Sequence, residues 1–315
     1  MANRANAVPR VEPIVIEPAY DDPAPVLDLV RASGPYPCMA GSAGYAGYDM
    51  PASPWFRTVW ATAGQCTQPG AESVLENPHF VAAARRAFDA EIVRPFTVVL
   101  NLMGPMPAGV PHLDIPTFRG LERESTTPWM LSMMGSSGLF ERWAVRVAGA
   151  ITWFYEGAGG PYEWWPHGPT GGSRVLDPPF GNTALVGDND YMFHRVGAIG
   201  DPEDFAAACD FPRSSSLDHD GDVWHVRDAG ESQRTFTDAQ IRISLLWRGL
   251  AFTDADDAAR FDDHTDDLDL DAVVDRFLAD LHEHGTPCAR PADPLTDPDW
   301  IATLNRFYGH PQLKA

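Results

Sequence analysis

Lysine is nearly absent from this sequence, and no tract of basic residues occurs along it. Of the 23 basic residues only Lys314 is a lysine, and 44 acidic residues bring the formal net charge to −21. A surface of that charge repels nucleic acids and anionic membranes, so we expect neither as a partner. A small anionic ligand is compatible with it, because such a ligand senses nearby arginines more than the whole surface.

Cysteine is scarce as well, and long apolar runs are missing. No two cysteines have the C-x-x-C spacing of a zinc knuckle or a redox motif, and the four are Cys38, Cys66, Cys209 and Cys288. We expect buried free thiols in a reducing cytosol. No run approaches the roughly 18 apolar residues of a membrane-spanning helix, and residues 1–24 lack the apolar core of a secretory signal. These absences predict a cytoplasmic protein.

The apolar residues that are present suffice for one large core. The 315 residues are 44% hydrophobic and include 16 Phe and 10 Trp. We expect an N-terminal arm at residues 1–24 and a single domain at residues 25–315. That domain has a β core at about 94–252 and a helical C-terminal extension at 255–315. Nothing in the pattern specifies an oligomer.

Residue periodicity predicts a mainly β fold with helices at both ends. Segments rich in β-branched and aromatic residues alternate with Gly- and Pro-containing loops, which is typical of a sandwich or jelly roll. The predicted strands are 95–104, 143–157, 183–197 and 240–252. Apolar residues at helical spacing predict helices at 76–93, 270–281 and 297–311, with Asn77 and Asp297 as N-terminal caps.

The stretch VPHLDIPTFRG, residues 110–120, places His112 and Asp114 two positions apart directly after a predicted strand. On an extended segment both side chains point the same way and reach one point, where a metal ion fits. An isolated H-x-D triplet is common by chance, so a third ligand is needed. His194 has the most suitable context, because its apolar surroundings keep the imidazole neutral as a ligand must be. A core histidine held by one backbone hydrogen bond is the other interpretation.

The strand at 240–252 carries Arg242 and Ser244 on one face and apolar residues on the other. An arginine that points into a β core needs an anionic partner, because an unpaired buried charge is very costly. A guanidinium beside a hydroxyl suits a carboxylate. If this face is exposed to solvent instead, Arg242 has no such role.

Over roughly residues 95–250 the chain resembles the iron(II)/2-oxoglutarate-dependent dioxygenases. The resemblance rests on H-x-D at 112/114, the histidine at 194 and R-x-S at 242/244. The resemblance implies a double-stranded β-helix, or jelly roll, in which His112, Asp114 and His194 bind iron and leave positions for 2-oxoglutarate and O2. It also implies that Arg242 and Ser244 bind the distal carboxylate of 2-oxoglutarate. Asn101, on the preceding strand, is expected to face the keto acid.

The spacing of the distal residues departs from this family. His194 and Arg242 are 48 positions apart, whereas many members have far fewer residues here. A hairpin or lid inserted between the two strands explains the difference. Otherwise His225, in the strand-like DVWHVRDAG, is the distal ligand, with Arg234 or Arg242 as the carboxylate partner.

The resemblance further implies an oxidoreductase that converts 2-oxoglutarate to succinate and CO2 while it oxidises an unactivated C–H bond. Related halogenases have a small residue in place of the carboxylate ligand. Asp114 therefore favours hydroxylation, desaturation or ring formation over halogenation. A small metabolite, an amino-acid derivative or a natural-product intermediate suits this acidic chain better than a protein or a nucleic acid.

Four residues are candidates for substrate contact. Trp164 and Trp165 lie in a Gly-rich stretch that would line the pocket or close over it, unless they pack on the rim of the barrel. Phe118 and Arg119 follow the H-x-D motif, where the pocket of this family lies, and Arg119 would bind a substrate carboxylate.

Two other functions are compatible with the same residues. A metal-dependent hydrolase or isomerase on a cupin-like barrel would use His112, Asp114 and His194 with zinc or manganese and without 2-oxoglutarate. A non-catalytic β-sandwich binding module would hold no stoichiometric iron.

Overall fold

The computed structural model describes residues 11–42, 52–121 and 126–309. Its strands are β1 (Ile14–Ile16), β2 (Tyr36–Pro37), β3 (Trp55–Thr62), β4 (Gln65–Cys66), β5 (Ile92–Met103), β6 (Thr117–Phe118), β7 (Ala144–Tyr155), β8 (Tyr162–Trp165), β9 (Arg174–Leu176), β10 (Phe180–Gly187), β11 (Phe193–Val196), β12 (Ser216–Asp220), β13 (Val223–Asp228), β14 (Glu231–Thr237) and β15 (Arg242–Phe252). Its helices are α1 (Ala24–Ala32), α2 (Glu72–Leu75), α3 (Pro78–Phe88), α4 (Pro128–Ser137), α5 (Phe205–Ala208), α6 (Ala255–Asp262), α7 (Leu270–Glu283) and α8 (Pro298–Tyr308).

A large antiparallel sheet is the base on which the rest of the molecule packs. Its strand order is β1-β10-β7-β15-β5-β3-β4, with β6 paired to β7. The three longest strands, β7, β15 and β5, lie side by side at its centre. Apolar side chains occupy both faces of these strands, because both faces are covered by other elements.

Helix α3 covers one face of the sheet. The side chain of Asn77 accepts a hydrogen bond from a backbone N–H of the first turn, which confirms the predicted cap. Phe80 packs against Trp247 of β15, with ring centroids 5.8 Å apart. The helix ends earlier than predicted, because Asp89 adopts a left-handed φ of 47° and Ile92 already begins β5.

A three-stranded sheet, β11-β8-β9, covers the other face. Aromatic residues fill the space between the two sheets, among them Trp153, Tyr162, Trp164 and Phe180. Residues 106–112, which follow β5, run antiparallel to residues 194–199 and extend the smaller sheet. Two sheets that face each other in this way form the predicted jelly roll.

The strand predicted for residues 183–197 is in fact two strands in different sheets. Between β10 and β11 the carbonyl of Asp188 accepts hydrogen bonds from the N–H groups of Tyr191 and Met192, which closes a turn. The turn carries the chain from the large sheet to the small one. It therefore places His194 opposite the sheet that holds Arg242.

The segment between His194 and Arg242 contains an additional sheet. Strands β12, β13 and β14 form an antiparallel meander whose outer strand β12 pairs with β2. An insertion between the two strands was expected from the unusual spacing, and this meander is that insertion.

The C-terminal helices form a second hydrophobic core with α4, which the sequence did not predict. Phe140, Phe277 and Trp300 are among the residues that pack in it. Asp297 accepts hydrogen bonds from two backbone N–H groups at the start of α8, as predicted. The extension therefore packs mainly on α4 and contributes no residue to the smaller sheet.

Two smaller expectations are revised. Within the predicted N-terminal arm, Ile14–Ile16 forms an edge strand on β10, while residues 1–10 lie outside the described residues. All four cysteines are free, but only Cys38 is buried, since the other three are partly exposed. In the described ranges no helix has the length and apolar character needed to cross a membrane.

Candidate metal centre

Backbone pairing between two distant segments brings His112 beside His194. The N–H of each residue donates to the carbonyl of the other, with N···O distances of 3.0 Å in both directions. The imidazole centroids are consequently 4.5 Å apart. Asp114 follows on the same segment, and its N–H donates to the carbonyl of Asn189 at 2.9 Å. The three predicted ligands therefore meet where the chain after β5 runs beside β11.

The side-chain ligand atoms of His112, Asp114 and His194 all lie within 4.8 Å of one another. The His194 Nε2 and Asp114 Oδ1 atoms are 4.0 Å apart. In the part of the chain that the structure describes, no other group of three His, Cys, Asp or Glu side chains is this close. His194 is buried and Asp114 half-buried, whereas His112 is exposed. One side of the cluster is thus open to solvent.

Each imidazole is oriented by the carbonyl of the residue two positions before it. The Nδ1 atom of His112 is 3.0 Å from the carbonyl oxygen of Val110, and that of His194 is 2.9 Å from the carbonyl oxygen of Met192. Since a carbonyl only accepts, both rings carry their proton on Nδ1. The unprotonated Nε2 of each ring is left for a metal ion.

The charges around the cluster favour the protonation states that a metal needs. Burial, together with the nearby His112, lowers the pKa of His194 to about 4, so this imidazole is neutral near pH 7. Burial acts to raise the pKa of Asp114, but His194, Arg248, His112 and Arg57 outweigh it, and the pKa lies below its ordinary value. A neutral imidazole and an ionised carboxylate are both ready to coordinate.

The donor set fits iron(II). Two imidazole nitrogens and one carboxylate oxygen are the protein ligands of non-haem iron(II) oxygenases, whose other coordination positions accept co-substrates. The open side of the cluster at His112 suits a metal that must admit other molecules.

Arg242 is fully buried and lacks an acidic partner among the described residues. Its Nε donates to the carbonyl of Gly160 at 2.8 Å, whereas its Nη2 has no hydrogen-bond partner there. The rings of Trp153 and Phe180 lie 5.7 and 5.6 Å from the guanidinium carbon. Burial lowers the pKa of Arg242 to about 9, which leaves it charged near pH 7. A buried cation with an unused donor is suited to bind an anion.

Register places Ser244, Asn101 and Arg57 in one row across the sheet, on the face that carries Arg242. Ser244 lies opposite Asn101 on β5, and Asn101 lies opposite Arg57 on β3. The side-chain oxygen of Asn101 accepts a hydrogen bond from Trp55 Nε1 at 3.0 Å. Asn101 is therefore held in place on the floor of the cleft between the sheets.

Tyr162 is a residue of the site that sequence reasoning missed. Its ring lies 5.8 Å from the ring of His194, and its buried hydroxyl has no partner among the described residues. It interacts electrostatically with both Asp114 and Arg242. The alternation in YEWW would have indicated an inward-facing tyrosine if this segment had been predicted as a strand.

The turn before β11 supplies further polar residues that were missed. Arg248 Nη2 donates to the carboxylate of Asp190 at 2.6 Å. The side chain of Asn189 is buried, and neither of its polar atoms has a partner in the described residues. It lies over Gly149, where an added Cβ would be 3.3 Å from the Asn189 Nδ2 atom. The D-N-D run at 188–190, inside an apolar segment, was the available signal.

Trp164 and Trp165 lie on strand β8 and not in a loop, so the predicted lid is wrong. Trp164 is paired with His194 and faces the space between the sheets. Trp165 points to the opposite side, where it packs against Phe193 and Leu113. Only Trp164 is placed to contact a molecule bound at the cluster.

Phe118 and Arg119 have a structural role in place of the predicted substrate contact. Arg119 donates two hydrogen bonds to the carboxylate of Asp266, at 2.8 and 3.0 Å, and one to the carbonyl of Arg142 at 2.6 Å. Phe118 packs against Phe140 in the C-terminal core. The Nε and Nη2 donors of Arg119 are thus engaged by the protein itself.

The alternative distal ligand, His225, is wrong. It lies on β13 in the inserted sheet, with its Nδ1 atom 3.2 Å from the Ser232 hydroxyl. Arg234 lies on the neighbouring strand β14. His194 is the histidine that meets His112 and Asp114.

No protein-family model matches the chain, and no curated protein matches its sequence. Among solved structures, similarity extends to an oxidoreductase of the 2OG-Fe(II) oxygenase family from Burkholderia pseudomallei, at 14% identity over 76% of this chain and 85% of the other, with a TM-score of 0.42. A prolyl-4-hydroxylase from Pseudomonas putida matches at 13% identity over 77% and 94% of the chains, with a TM-score of 0.37. HygX from Streptomyces hygroscopicus, with nickel, 2-oxoglutarate and hygromycin B bound, matches at 8% identity over 76% and 83%, with a TM-score of 0.39. Likeness at this level carries no conclusion about function, so function must be judged from this chain's own residues.

Proposed function

We propose that this protein is an iron(II)- and 2-oxoglutarate-dependent oxygenase that oxidises a small molecule and releases succinate and CO2. The observation that carries the proposal is Arg242, a fully buried arginine without an acidic partner on the sheet that faces the His112–Asp114–His194 cluster. The cluster alone suits several kinds of metal enzyme. A buried cation with an unused donor selects a co-substrate that carries a carboxylate at a distance from the metal.

The residues of the site have separate tasks. Iron(II) is held by His112, Asp114 and His194. The bound iron and 2-oxoglutarate would supply the oxidising chemistry. Arg242 binds the far carboxylate, and the Ser244 and Tyr162 hydroxyls beside it donate further hydrogen bonds. Aromatic rings surround this anion site and exclude water from it, which strengthens each polar contact; they are Trp153, Trp164 and Phe180.

The carboxylate ligand bears on the reaction outcome. Asp114 occupies the ligand position, and its lowered pKa keeps it ionised at neutral pH. Hydroxylation, desaturation or ring formation is therefore the expected reaction in place of halogenation. A net charge of −21 supports a small-molecule substrate over a nucleic acid.

The proposal is tested by adding iron(II) and then 2-oxoglutarate to the metal-free protein without oxygen. We expect stoichiometric iron binding and a visible charge-transfer band on addition of the keto acid. When oxygen and ascorbate are admitted, succinate should form even without the substrate. Iron binding without any effect of 2-oxoglutarate would favour a metal-dependent hydrolase or isomerase. Failure to bind iron at all would favour a binding module.

The role of Arg242 is tested by Arg242→Gln. Loss of the charge should raise the Kd for 2-oxoglutarate by about 30-fold or more, since hydrogen bonds between charged groups contribute about 2 kcal/mol. The matched control is Arg86→Gln, because Arg86 is an exposed arginine on α3, on the opposite face of the sheet. An unchanged Kd in Arg242→Gln would contradict the assignment.

A further inference from the structure

Arg57 is an arginine near the metal ligands, and no described residue forms an ion pair with it. It lies half-buried on β3 and faces the same side of the sheet as Asn101, its partner in register. Among the described residues it has no hydrogen-bond or ion-pair partner. It is one of the charges that lower the pKa of Asp114, so it lies within electrostatic reach of the cluster.

The other cations near the cluster are matched by anions. Arg248 donates to Asp190 at 2.6 Å, and Asp188 adds a second negative charge near it. Iron(II) and Arg242 together carry three positive charges, which 2-oxoglutarate and Asp114 balance. In the described parts of the chain, the charge of Arg57 is then left without an anion.

An apolar row lies next to Arg57 on the same face of the sheet. Register pairs Val59 with Val99, Val99 with Leu246, and Leu246 with Ile151. Val59 is 47% exposed, and Leu246 and Ile151 are partly accessible, whereas Val99 between them is buried. Because residues two apart on a strand share a face, the row runs parallel to the one that holds Arg57 and Ser244. The floor of the cleft thus combines Arg57, which has no anionic partner among the described residues, with a partly accessible apolar strip.

We propose that the substrate is a small acid whose carboxylate or phosphate pairs with Arg57 while its apolar part lies along the Val59–Ile151 row. This rests on the proposed function and names the substrate class for the same site. A planar guanidinium without a hydrogen-bond partner among the described residues is well suited to an oxyanion. The apolar row favours a hydrocarbon body over a sugar or a peptide backbone.

The test uses full-length protein loaded with zinc(II), which does not turn over, and saturated with 2-oxoglutarate. The probes are aliphatic and aromatic carboxylic acids, their primary amides and the corresponding phosphate monoesters. Binding is measured by ligand-observed NMR, and hits are then tested for stimulation of succinate release by the iron-loaded protein. The comparison of carboxylates with phosphate monoesters identifies which anion the site takes.

Wild-type protein is expected to bind the preferred acid at least about tenfold more tightly than its neutral counterpart, because a charge-assisted pair is lost in the amide. Arg57→Gln should reduce that ratio to about twofold or less. Arg57→Lys should keep part of it, and the exposed control Arg86→Gln should keep all of it. The ratio compares two ligands on one protein, so a general loss of stability does not imitate the result.

Three outcomes would overturn the inference: amides that bind as well as acids, an acid preference that survives Arg57→Gln, or a panel in which no acid binds. None of them affects the proposed function, which is read from iron and 2-oxoglutarate binding without the panel. If 2-oxoglutarate itself does not bind to iron-loaded wild-type protein, the proposed function has failed, and the substrate assignment fails with it.

Discussion

At the scale of single residues, the orientation of the two imidazoles depends on main-chain carbonyls two positions before each histidine. Val110 and Met192 supply them, at 3.0 and 2.9 Å from the Nδ1 atoms. An acceptor two positions away in the same chain segment moves together with the ring that it orients. The Nε2 atoms therefore keep their direction without help from a side chain, and no carboxylate near the cluster is needed for this purpose.

The neutral state of His194 makes the stability of the metal-free protein depend on pH. Its pKa is about 4 in the folded protein, against 6.5 as the ordinary value. Between these values the unfolded chain binds more protons, so stability is complete above about pH 6.5 and falls as the pH drops toward 4, by about 3 kcal/mol in all. Urea unfolding of the metal-free protein at several pH values measures this loss.

His194→Gln should reduce that pH dependence, whereas His225→Gln, a change on the inserted sheet, should leave it as in wild type. Equal loss of stability in wild type and His194→Gln between about pH 6.5 and 4 would show that another group is responsible.

Asp114 is the residue on which metal binding depends most directly. Asp114→Asn keeps the size but removes the charge, and Asp114→Ala removes the ligand altogether. Both should weaken iron(II) binding by about 100-fold or more, since altered outer-shell partners alone cost about 10- to 100-fold. Competition with a coloured chelator measures the affinity. Asp256→Asn, an exposed change on α6, is the control. Near-normal iron affinity in Asp114→Ala would remove this residue from the centre.

At the scale of strands and loops, sequence reasoning worked where the signal is local. Alternation along β15 places Arg242 and Ser244 on one face, and both are buried there. Arg57 could not be found in this way, because its place depends on the register between β3 and β5, which are separated by two helices in the chain. Trp164 was misassigned because a strand of four residues between two prolines gives almost no periodic signal.

The loop between β7 and β8 holds Arg242 through Gly160. The Gly160 carbonyl accepts from Arg242 Nε, and its φ of 72° is one that other residues rarely adopt. A Cβ at this position would lie 3.0 Å from Arg242 Cδ and 3.2 Å from the Tyr155 ring. Gly160→Ala should therefore shift the guanidinium and cost about 1 kcal/mol or more in unfolding free energy.

We expect the Kd of Gly160→Ala for 2-oxoglutarate to rise about tenfold, because the displaced guanidinium aligns poorly with the carboxylate. The matched control is Gly172→Ala, since an added Cβ at Gly172 meets no atom within 4 Å. Isothermal titration of both variants with the keto acid decides the matter. Equal affinities would mean that the loop does not position Arg242.

At the scale of the whole molecule, the buried hydrophobic residues form several separate clusters, one of which packs α3 on the large sheet. The aromatic core between the sheets surrounds the candidate site, whereas α4, α7 and α8 form a separate core with its own aromatic residues. Helical periodicity was sufficient to predict α7 and α8. It was not sufficient to predict α4 as their partner, since α4 is apolar nearly all round and has no polar face to mark it. Arg119 was misassigned as a consequence. It follows the H-x-D motif closely in the sequence and so resembled a substrate contact. Its partner Asp266 lies 147 positions away.

The partly buried pair of Arg119 and Asp266 lies beside the C-terminal core, where Phe118 and Leu268 next to it pack. Arg119→Gln leaves the Asp266 carboxylate poorly compensated, which should cost about 2 kcal/mol or more in unfolding free energy. The Kd for 2-oxoglutarate should stay within about twofold of wild type, in contrast to Arg242→Gln. Asp266→Asn and the double variant complete a cycle in which the double change should cost at least about 1 kcal/mol less than the sum. If Arg119→Gln instead weakened 2-oxoglutarate or substrate binding at full stability, Arg119 would act at the site and not beside the C-terminal core.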